Sequence, residues 1–191
     1  MVFHSAVVHL PGKHLLLLGD DMYHFILGAS DPEMSRIQDL LEASGIPFTH
    51  ALGDGGRRVF PGNAYRVIDL SDPIKAGSIP VWVECGPADP SIQRTKVVDH
   101  HHPGDPGYGQ PPAQFLPASS LGQTIALLAS HNRLPRNWAP FSLEQSFSDS
   151  APWYLDGHRW YLNGSHVQYY LVPMDLGLSA AADHCLGHAY R

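Results

Sequence analysis

The chain has 191 residues, of which 43% are hydrophobic and 16% are charged, and its formal net charge at pH 7 is -6. This acidic balance argues against tight binding to duplex nucleic acid, because such binding depends on Lys and Arg that neutralise phosphates. Apolar runs such as residues 15–18 are far shorter than the roughly 20 residues of a membrane-spanning helix. The first residues also lack the basic and apolar regions of a signal peptide, so we predict a cytoplasmic protein without membrane association.

The first quarter of the chain predicts a hairpin followed by a βαβ unit. Apolar runs at residues 6–10, 15–18 and 22–28 are separated by turn residues, a pattern typical of paired strands. A helix is predicted to begin at Ser30-Asp31-Pro32-Glu33, where a capping side chain, a proline and an acid occupy the first turn, and to end at Gly45. A strand at residues 46–51 follows it. A strand, a helix and a strand within about thirty residues predict a parallel pair.

The middle of the chain predicts short strands between loops rich in glycine. The first loop, residues 52–64, contains Arg57 and Arg58. Strands are predicted at residues 65–70, 79–84 and 95–98, with one or two helical turns at residues 88–94. Residues 103–117 are dense in Gly and Pro and predict a loop.

The last third predicts two longer helices and a further set of strands. Ser119 and Ser120 are predicted to cap a helix that ends near residue 131, and residues 143–147 are predicted to form a short helix. Strands are predicted at residues 153–155, 160–162 and 167–172, and a helix at residues 176–190. We therefore predict one α/β domain over residues 1–191, with a mostly parallel sheet flanked by helices. It is either complete or a fragment of a longer chain.

Acidic side chains fall at the ends of three predicted strands or at the residues just beyond them. They are Asp31 with Glu33, Glu84, and Asp99, which is followed by three consecutive histidines. The carboxyl ends of parallel strands meet at one edge of a sheet, so these carboxylates should lie close together and repel one another. A cation between them would remove that repulsion. Carboxylates with one or two imidazoles suit Mn²⁺ or Mg²⁺, and also Zn²⁺ or Fe²⁺, and two such ions commonly hydrolyse phosphoesters.

Ordinary structural roles are the alternative for some of these residues. Three histidines in a row can be solvated loop residues. Asp31 and Glu33 can serve as the cap and first-turn acid of any helix, a role that is compatible with metal binding. Glu84 has the weakest such alternative, because an acid that follows Val-Trp-Val in a central strand needs a partner.

The segment Val97-Val98-Asp99-His100-His101 resembles the signature of the DHH phosphoesterase superfamily, which includes RecJ nucleases, oligoribonucleases, cyclic-dinucleotide phosphodiesterases and family II pyrophosphatases. Two upstream segments resemble the preceding motifs of that superfamily, Ser30-Asp31-Pro32-Glu33 and Val81-Trp82-Val83-Glu84, each with Glu where the family prefers Asp. The helix start at Ala118-Ser119-Ser120 also fits. The resemblance covers roughly residues 20–130, and the family's companion substrate-binding domain has no counterpart in the chain.

The resemblance implies a DHH-type catalytic domain with a cofactor of two ions, Mn²⁺ or Mg²⁺. It places Asp31, Glu33, Glu84 and His100 as metal ligands, with Asp99 as a further ligand or as a residue that orients one. The family uses one more downstream aspartate. Asp183 is the first candidate for it and Asp175 the second.

The resemblance also implies roles on the substrate side. His101 would contact the substrate phosphate, and His101 and Asp99 are the catalytic candidates. Because the companion domain is missing, other residues must bind the substrate, and the candidates are His102, Arg57, Arg58, Arg94 and the loop 102–108. The predicted function is a divalent-metal-dependent phosphoesterase, a hydrolase acting on a small phosphorylated substrate such as a nucleotide or on a short oligonucleotide. The alternatives are a non-catalytic nucleotide- or metal-binding module on the same fold and a metal-free structural protein; the oligomeric state is left open.

Overall fold

The computed structural model describes residues 23–135, 140–141, 153–156, 159–163, 169–172 and 174–186. A five-stranded sheet contains β1 (Tyr23–Leu27), β2 (Phe48–Leu52), β3 (Asp69–Leu70), β4 (Ile79–Val83) and β5 (Lys96–Val98). A four-stranded antiparallel sheet contains β6 (Pro140–Phe141), β7 (Trp153–Asp156), β8 (Arg159–Asn163) and β9 (Tyr169–Val172). The helices are α1 (Pro32–Ser44), α2 (Phe115–Ala118), α3 (Ser120–Ser130) and α4 (Met174–Leu186).

The five-stranded sheet confirms the predicted α/β class. Its strand order is β3-β2-β1-β4-β5, and every pair is parallel except that of β2 with β3. From β1 the chain adds β2 on one side and then β4 and β5 on the other. The winding therefore reverses between β1 and β4, and the crevice at the carboxyl ends of strands at such a reversal is where open α/β sheets bind ligands.

Helix α1 has the boundaries that its sequence signals predict. The Asp31 carboxylate accepts a hydrogen bond of 2.7 Å from the backbone N–H of Met34, and Pro32 occupies the first turn. Gly45 ends the helix in the left-handed conformation, with φ of 64°. The cap directly follows β1, so the start of α1 lies at the carboxyl edge of the sheet.

The apolar core is divided by the sheet. Phe25 and Leu27 of β1 join one cluster with residues of β4, β5 and all four helices, whereas Ile26 joins a second cluster on the opposite face. This alternation is the two-residue period of a strand. Within the described residues, the second cluster is built from the chain between residues 26 and 85, so loops cover that face where helices cover the first.

Four local predictions differ from the structure. Both edges of β1 are occupied by the parallel strands β2 and β4, which leaves no edge for a hairpin partner. The strand predicted at residues 65–70 is reduced to Asp69–Leu70. Residues 88–94 form turns and bends without a helix. The predicted loop 103–117 contains a 3-10 turn at Pro112–Gln114 and most of α2, because buried contacts of Leu116 outweigh the local Gly and Pro signals.

The strand pairs β7–β8 and β8–β9 confirm the predicted strands near residues 153–172. The strands predicted at residues 6–18, the helix at 143–147 and the end of the last helix lie outside the described residues. The count of one domain stays a prediction. Among the described helices, none combines the length and apolar character needed to cross a bilayer.

Candidate metal centre

Four side chains converge at the point where the sheet reverses its winding. Glu84 follows β4, His100 and His101 follow β5, and Asp183 lies on α4. One ligand atom from each lies within 4.8 Å of those of the other three. Two carboxylates and two imidazoles within this distance can hold a single divalent ion.

His100 is at the middle of the cluster and is buried. Its Nε2 lies 2.7 Å from Asp183 Oδ2, 3.5 Å from Glu84 Oε1 and 3.7 Å from Glu33 Oε2. Although burial opposes a charge here, the contacts with these carboxylates raise the pKa of His100 to about 12. The protonated imidazole therefore supplies the positive charge among the acids, and a metal ion would have to displace that proton.

His184 fixes the orientation of the His100 ring. Its Nδ1 lies 3.3 Å from His100 Nδ1, and its Nε2 lies 3.1 Å from the carbonyl oxygen of Gln110. Because a carbonyl can only accept, Nε2 of His184 carries a proton, and burial together with the charge on His100 lowers the pKa of His184. Its Nδ1 is then the acceptor for His100 Nδ1–H. This leaves Nε2 of His100 facing the carboxylates, which is the ligand position.

Three buried carboxylate oxygens face the single N–H of His100 Nε2. They are Glu33 Oε2, Glu84 Oε1 and Asp183 Oδ2, and one N–H cannot satisfy all three. Burial, opposed by His100, raises the pKa of Glu33 well above its usual value. Burial and the charge of Glu84 raise the pKa of Asp31 to about 6. Buried carboxylate oxygens that share one donor are costly, and a cation would satisfy them.

The backbone at Glu84 is held in an unfavourable conformation. Its φ is 49°, in the left-handed region that residues with a side chain rarely adopt. Gly28, at the end of β1, lies against it, since a Cβ on Gly28 would be 2.5 Å from the carbonyl oxygen of Glu84. Strain of this kind persists only where surrounding structure imposes it, and it is concentrated at functional sites.

Asp99 orients His101 and lies outside the four-residue cluster. Its Oδ1 accepts hydrogen bonds from the backbone N–H groups of His100 and His101 and contacts His101 Nδ1 at 2.9 Å. Its Oδ2 accepts a hydrogen bond of 2.8 Å from the Tyr65 hydroxyl. Although burial opposes ionisation of Asp99, the bonds from His101 and Tyr65 lower its pKa. Nδ1 of His101 is therefore committed to Asp99, and its other ring nitrogen is left for a ligand.

Replacement of Tyr65 by Phe should lower the free energy of unfolding by about 2 kcal/mol at pH 7, because a hydrogen bond to a charged group is lost. The folded pKa of Asp99 lies below its unfolded value. The stabilisation is thus present above about pH 4 and is lost as the pH falls through the folded pKa. Urea unfolding of Tyr65→Phe and wild type at pH 7 and pH 3 measures this difference.

Tyr108→Phe is the matched control, since Tyr108 is 44% exposed. We expect it to unfold like the wild type at both pH values. A difference between Tyr65→Phe and wild type that is as large at pH 3 as at pH 7 would contradict the role of Tyr65 as a donor to ionised Asp99.

The predicted site residues are divided between two adjacent cavities. A cavity of about 370 Å³ is lined by Asp31, Glu84, His101, His102 and Asp183, among others. Glu33 lies beneath it, 1% exposed, and its Oε1 accepts a hydrogen bond of 2.9 Å from the N–H of Leu121 at the start of α3.

The predicted substrate-binding arginines lie elsewhere. Arg57 and Arg58 line a neighbouring groove of about 740 Å³. Arg94 lies 3.7 Å from both Asp99 Oδ2 and Asp105 Oδ1, so it supports the histidine loop. The side chain of Asp175, the second candidate for the downstream aspartate, lies outside the described residues.

Comparison with known proteins adds no relative to this geometry. No protein-family model, curated protein or solved structure matches the chain. The relationship to the DHH superfamily therefore rests on the motifs alone and stays a prediction. What the structure adds is a cluster of four residues that could hold a metal ion.

Three contributors to the site were not identified from the sequence. Tyr65 bonds to Asp99, His184 bonds to His100, and Gln123 donates to the carbonyl oxygen of Asp99 at 2.9 Å. His184 had a weak signal, because it follows the candidate ligand Asp183 directly. Tyr65 and Gln123 had none, because their roles depend on contacts between distant parts of the chain.

Proposed function

We propose that this protein is a divalent-metal-dependent phosphoesterase that hydrolyses a nucleotide or a short oligonucleotide. The observation that carries the proposal is the convergence of Glu84, His100, His101 and Asp183 at the reversal of the sheet, where three buried carboxylate oxygens share the one N–H of His100 Nε2. A single ion pair does not account for this geometry, because it leaves further buried carboxylate oxygens without a partner, which is costly.

The donor set favours Mn²⁺ over Mg²⁺. Mg²⁺ prefers oxygen ligands and keeps several waters, whereas imidazole together with carboxylate also suits Mn²⁺, Fe²⁺ and Zn²⁺. One ion fits the four-residue cluster. The second ion implied by the resemblance would need Asp31, which lines the same cavity and interacts with the charge of Glu84.

Different residues would bind the metal ion and the substrate of the proposed phosphoesterase. A bound divalent ion supplies Lewis acidity and lowers the pKa of a coordinated water. Glu84, His100 and Asp183 would hold the ion. His101 would face a phosphoryl oxygen of the substrate, and Asp99 fixes its ring through Nδ1. His102, which is exposed at the rim of the cavity, would contact the substrate.

Hydrolysis in the presence of Mn²⁺ tests the proposal directly. We expect release of product from at least one of a dinucleotide, a cyclic dinucleotide, pyrophosphate and bis(p-nitrophenyl) phosphate, and no release in EDTA. Asp31→Asn should lower turnover by about a hundredfold or more. The helix should be retained, because Asn caps a helix as well as Asp does.

Asp39→Asn is the control for this substitution, since its carboxylate is exposed on the same helix and forms an ion pair with Arg36 at 3.4 Å. Its turnover should equal that of the wild type. Thermal stabilisation by Mn²⁺ without hydrolysis of any member of the panel would favour the non-catalytic metal- or nucleotide-binding module. Absence of both effects would favour a metal-free structural protein.

A further inference from the structure

A basic groove lies beside the metal centre. It is lined by Arg57, Arg58 and Arg66, together with Phe60, Gly62 and one carboxylate, Asp54. Arg57 and Arg66 are exposed, and within the described residues neither forms an ion pair or a side-chain hydrogen bond. Three guanidinium groups against one acid give the groove a net positive charge on a chain whose overall charge is -6. The groove is therefore a positively charged surface on a protein whose net charge is negative.

The groove adjoins the cavity of the metal centre. Gly62 lines both the groove and the cavity that contains Asp31, Glu84 and His101. Arg58 also connects them, because its Nε donates a hydrogen bond of 3.0 Å to the carbonyl oxygen of Gly28 at the end of β1. The groove and the cavity are therefore neighbours.

An exposed aromatic ring marks the junction between the two spaces. Phe60 is 61% exposed, and its ring lies so close to Gly62 that a Cβ there would be 2.9 Å from Cε2 of the ring. Ile68, also 61% exposed, lines the groove. A large apolar ring left in water beside arginines is the combination with which proteins bind single-stranded nucleic acid, through base stacking and phosphate contacts.

We propose that this groove binds a short single-stranded oligonucleotide, with a base stacked on Phe60 and backbone phosphates bound by Arg57 and Arg66. The inference rests on the proposed function, since it places the adjoining phosphodiester at the metal centre. The groove volume of about 740 Å³ is of the size that holds small organic ligands, which suits one or two nucleotides. The acidic charge of the remaining chain disfavours a duplex.

Binding in EDTA tests the groove separately from the metal centre. The probe is a fluorescein-labelled oligothymidylate of four nucleotides, and the readout is fluorescence anisotropy between about 50 and 200 mM salt. For Arg57→Ala/Arg66→Ala we expect weaker binding. The slope of log affinity against log salt should fall by about 1.4, because each phosphate contact on a single strand contributes about 0.7. Phe60→Ala should weaken binding about tenfold with no change in slope, because it removes only stacking.

Arg36→Ala/Lys96→Ala is the matched control. It removes the same charge from α1 and from the first residue of β5, at the opposite edge of the sheet, and should bind the probe like the wild type. Equal loss in this control, or wild-type binding by Arg57→Ala/Arg66→Ala, would overturn the groove. The proposal would also be overturned if pyrophosphate bound as tightly as the probe and Phe60→Ala had no effect on binding of the probe. The groove would then recognise phosphate alone.

Failure of this inference can be told apart from failure of the proposed function. The stabilisation of Arg57→Ala/Arg66→Ala by Mn²⁺ should equal that of the wild type, since neither arginine contacts the metal cluster. Loss of probe binding with a retained response to Mn²⁺ supports the groove as a separate subsite. If the wild type hydrolyses bis(p-nitrophenyl) phosphate but does not bind the probe, oligonucleotide binding in the groove is contradicted. The proposed metal-dependent hydrolysis is then still supported.

Discussion

Asp183→Asn should remove most of the thermal response of the protein to Mn²⁺. Stabilisation by a ligand equals RT ln(1 + [L]/Kd), which is about 2.7 kcal/mol when the Mn²⁺ concentration is a hundred times Kd. Loss of one anionic ligand that raises Kd about a hundredfold leaves only about 0.4 kcal/mol at the same concentration. The measurement is the unfolding midpoint with Mn²⁺ and with EDTA in each variant, so that any change in metal-free stability cancels.

The geometry makes Asp183 the sharpest choice for this experiment. It lies on α4, its carboxylate contacts His100 Nε2 at 2.7 Å, and Asn has nearly the same size and shape as Asp. Although burial opposes ionisation, the contact with His100 lowers the pKa of Asp183 to about 2, so the residue offers a negative charge at neutral pH. Asp39→Asn should retain the full response. An undiminished response in Asp183→Asn would show that Mn²⁺ binds elsewhere.

Gly122→Ala should destabilise the protein by more than about 3 kcal/mol, although alanine normally favours a helix over glycine by about 1 kcal/mol. A Cβ on Gly122 would overlap the carbonyl oxygen and carbon of Leu116, which are backbone atoms of α2 and cannot rotate away. The first turn of α3 would have to move from α2. Urea unfolding of the purified variant measures the loss.

The first turn of α3 also contacts residues of the candidate metal centre. Displacement of this turn by Gly122→Ala should therefore also disturb Glu33 and the backbone at Asp99. Leu121, beside Gly122, donates its N–H to Glu33 Oε1, and Gln123 bonds to the backbone of Asp99. Ala126→Gly, in the same helix and half-buried, is the control and should cost only about 1 kcal/mol. If Gly122→Ala were as stable as the wild type, the close approach of α2 to α3 would be contradicted.

The sequence by itself determined the elements whose signals are local. The ends of α1 follow from Asp31, Pro32 and Gly45, because capping and the left-handed conformation depend on residues within one turn. The strands before Glu84 and Asp99 follow from short apolar runs that end in an acid. Since parallel strands share one carboxyl edge, the same pattern also predicted that Glu84 lies close to the histidines after Asp99, whereas Asp183 was a candidate only through the resemblance.

Only the tertiary structure decided the features that depend on distant contacts. The pairing of β1 with β2 and β4 replaced a hairpin, because burial of both faces of β1 outweighs the turn signal before it. Distant contacts also give Asp99 and Asp183 different environments. Asp99 accepts a hydrogen bond from Tyr65, whereas Asp183 contacts His100. Both are aspartates beside a histidine in the sequence. Their environments differ because the partners come from residues more than thirty positions away, and no local pattern records that distance.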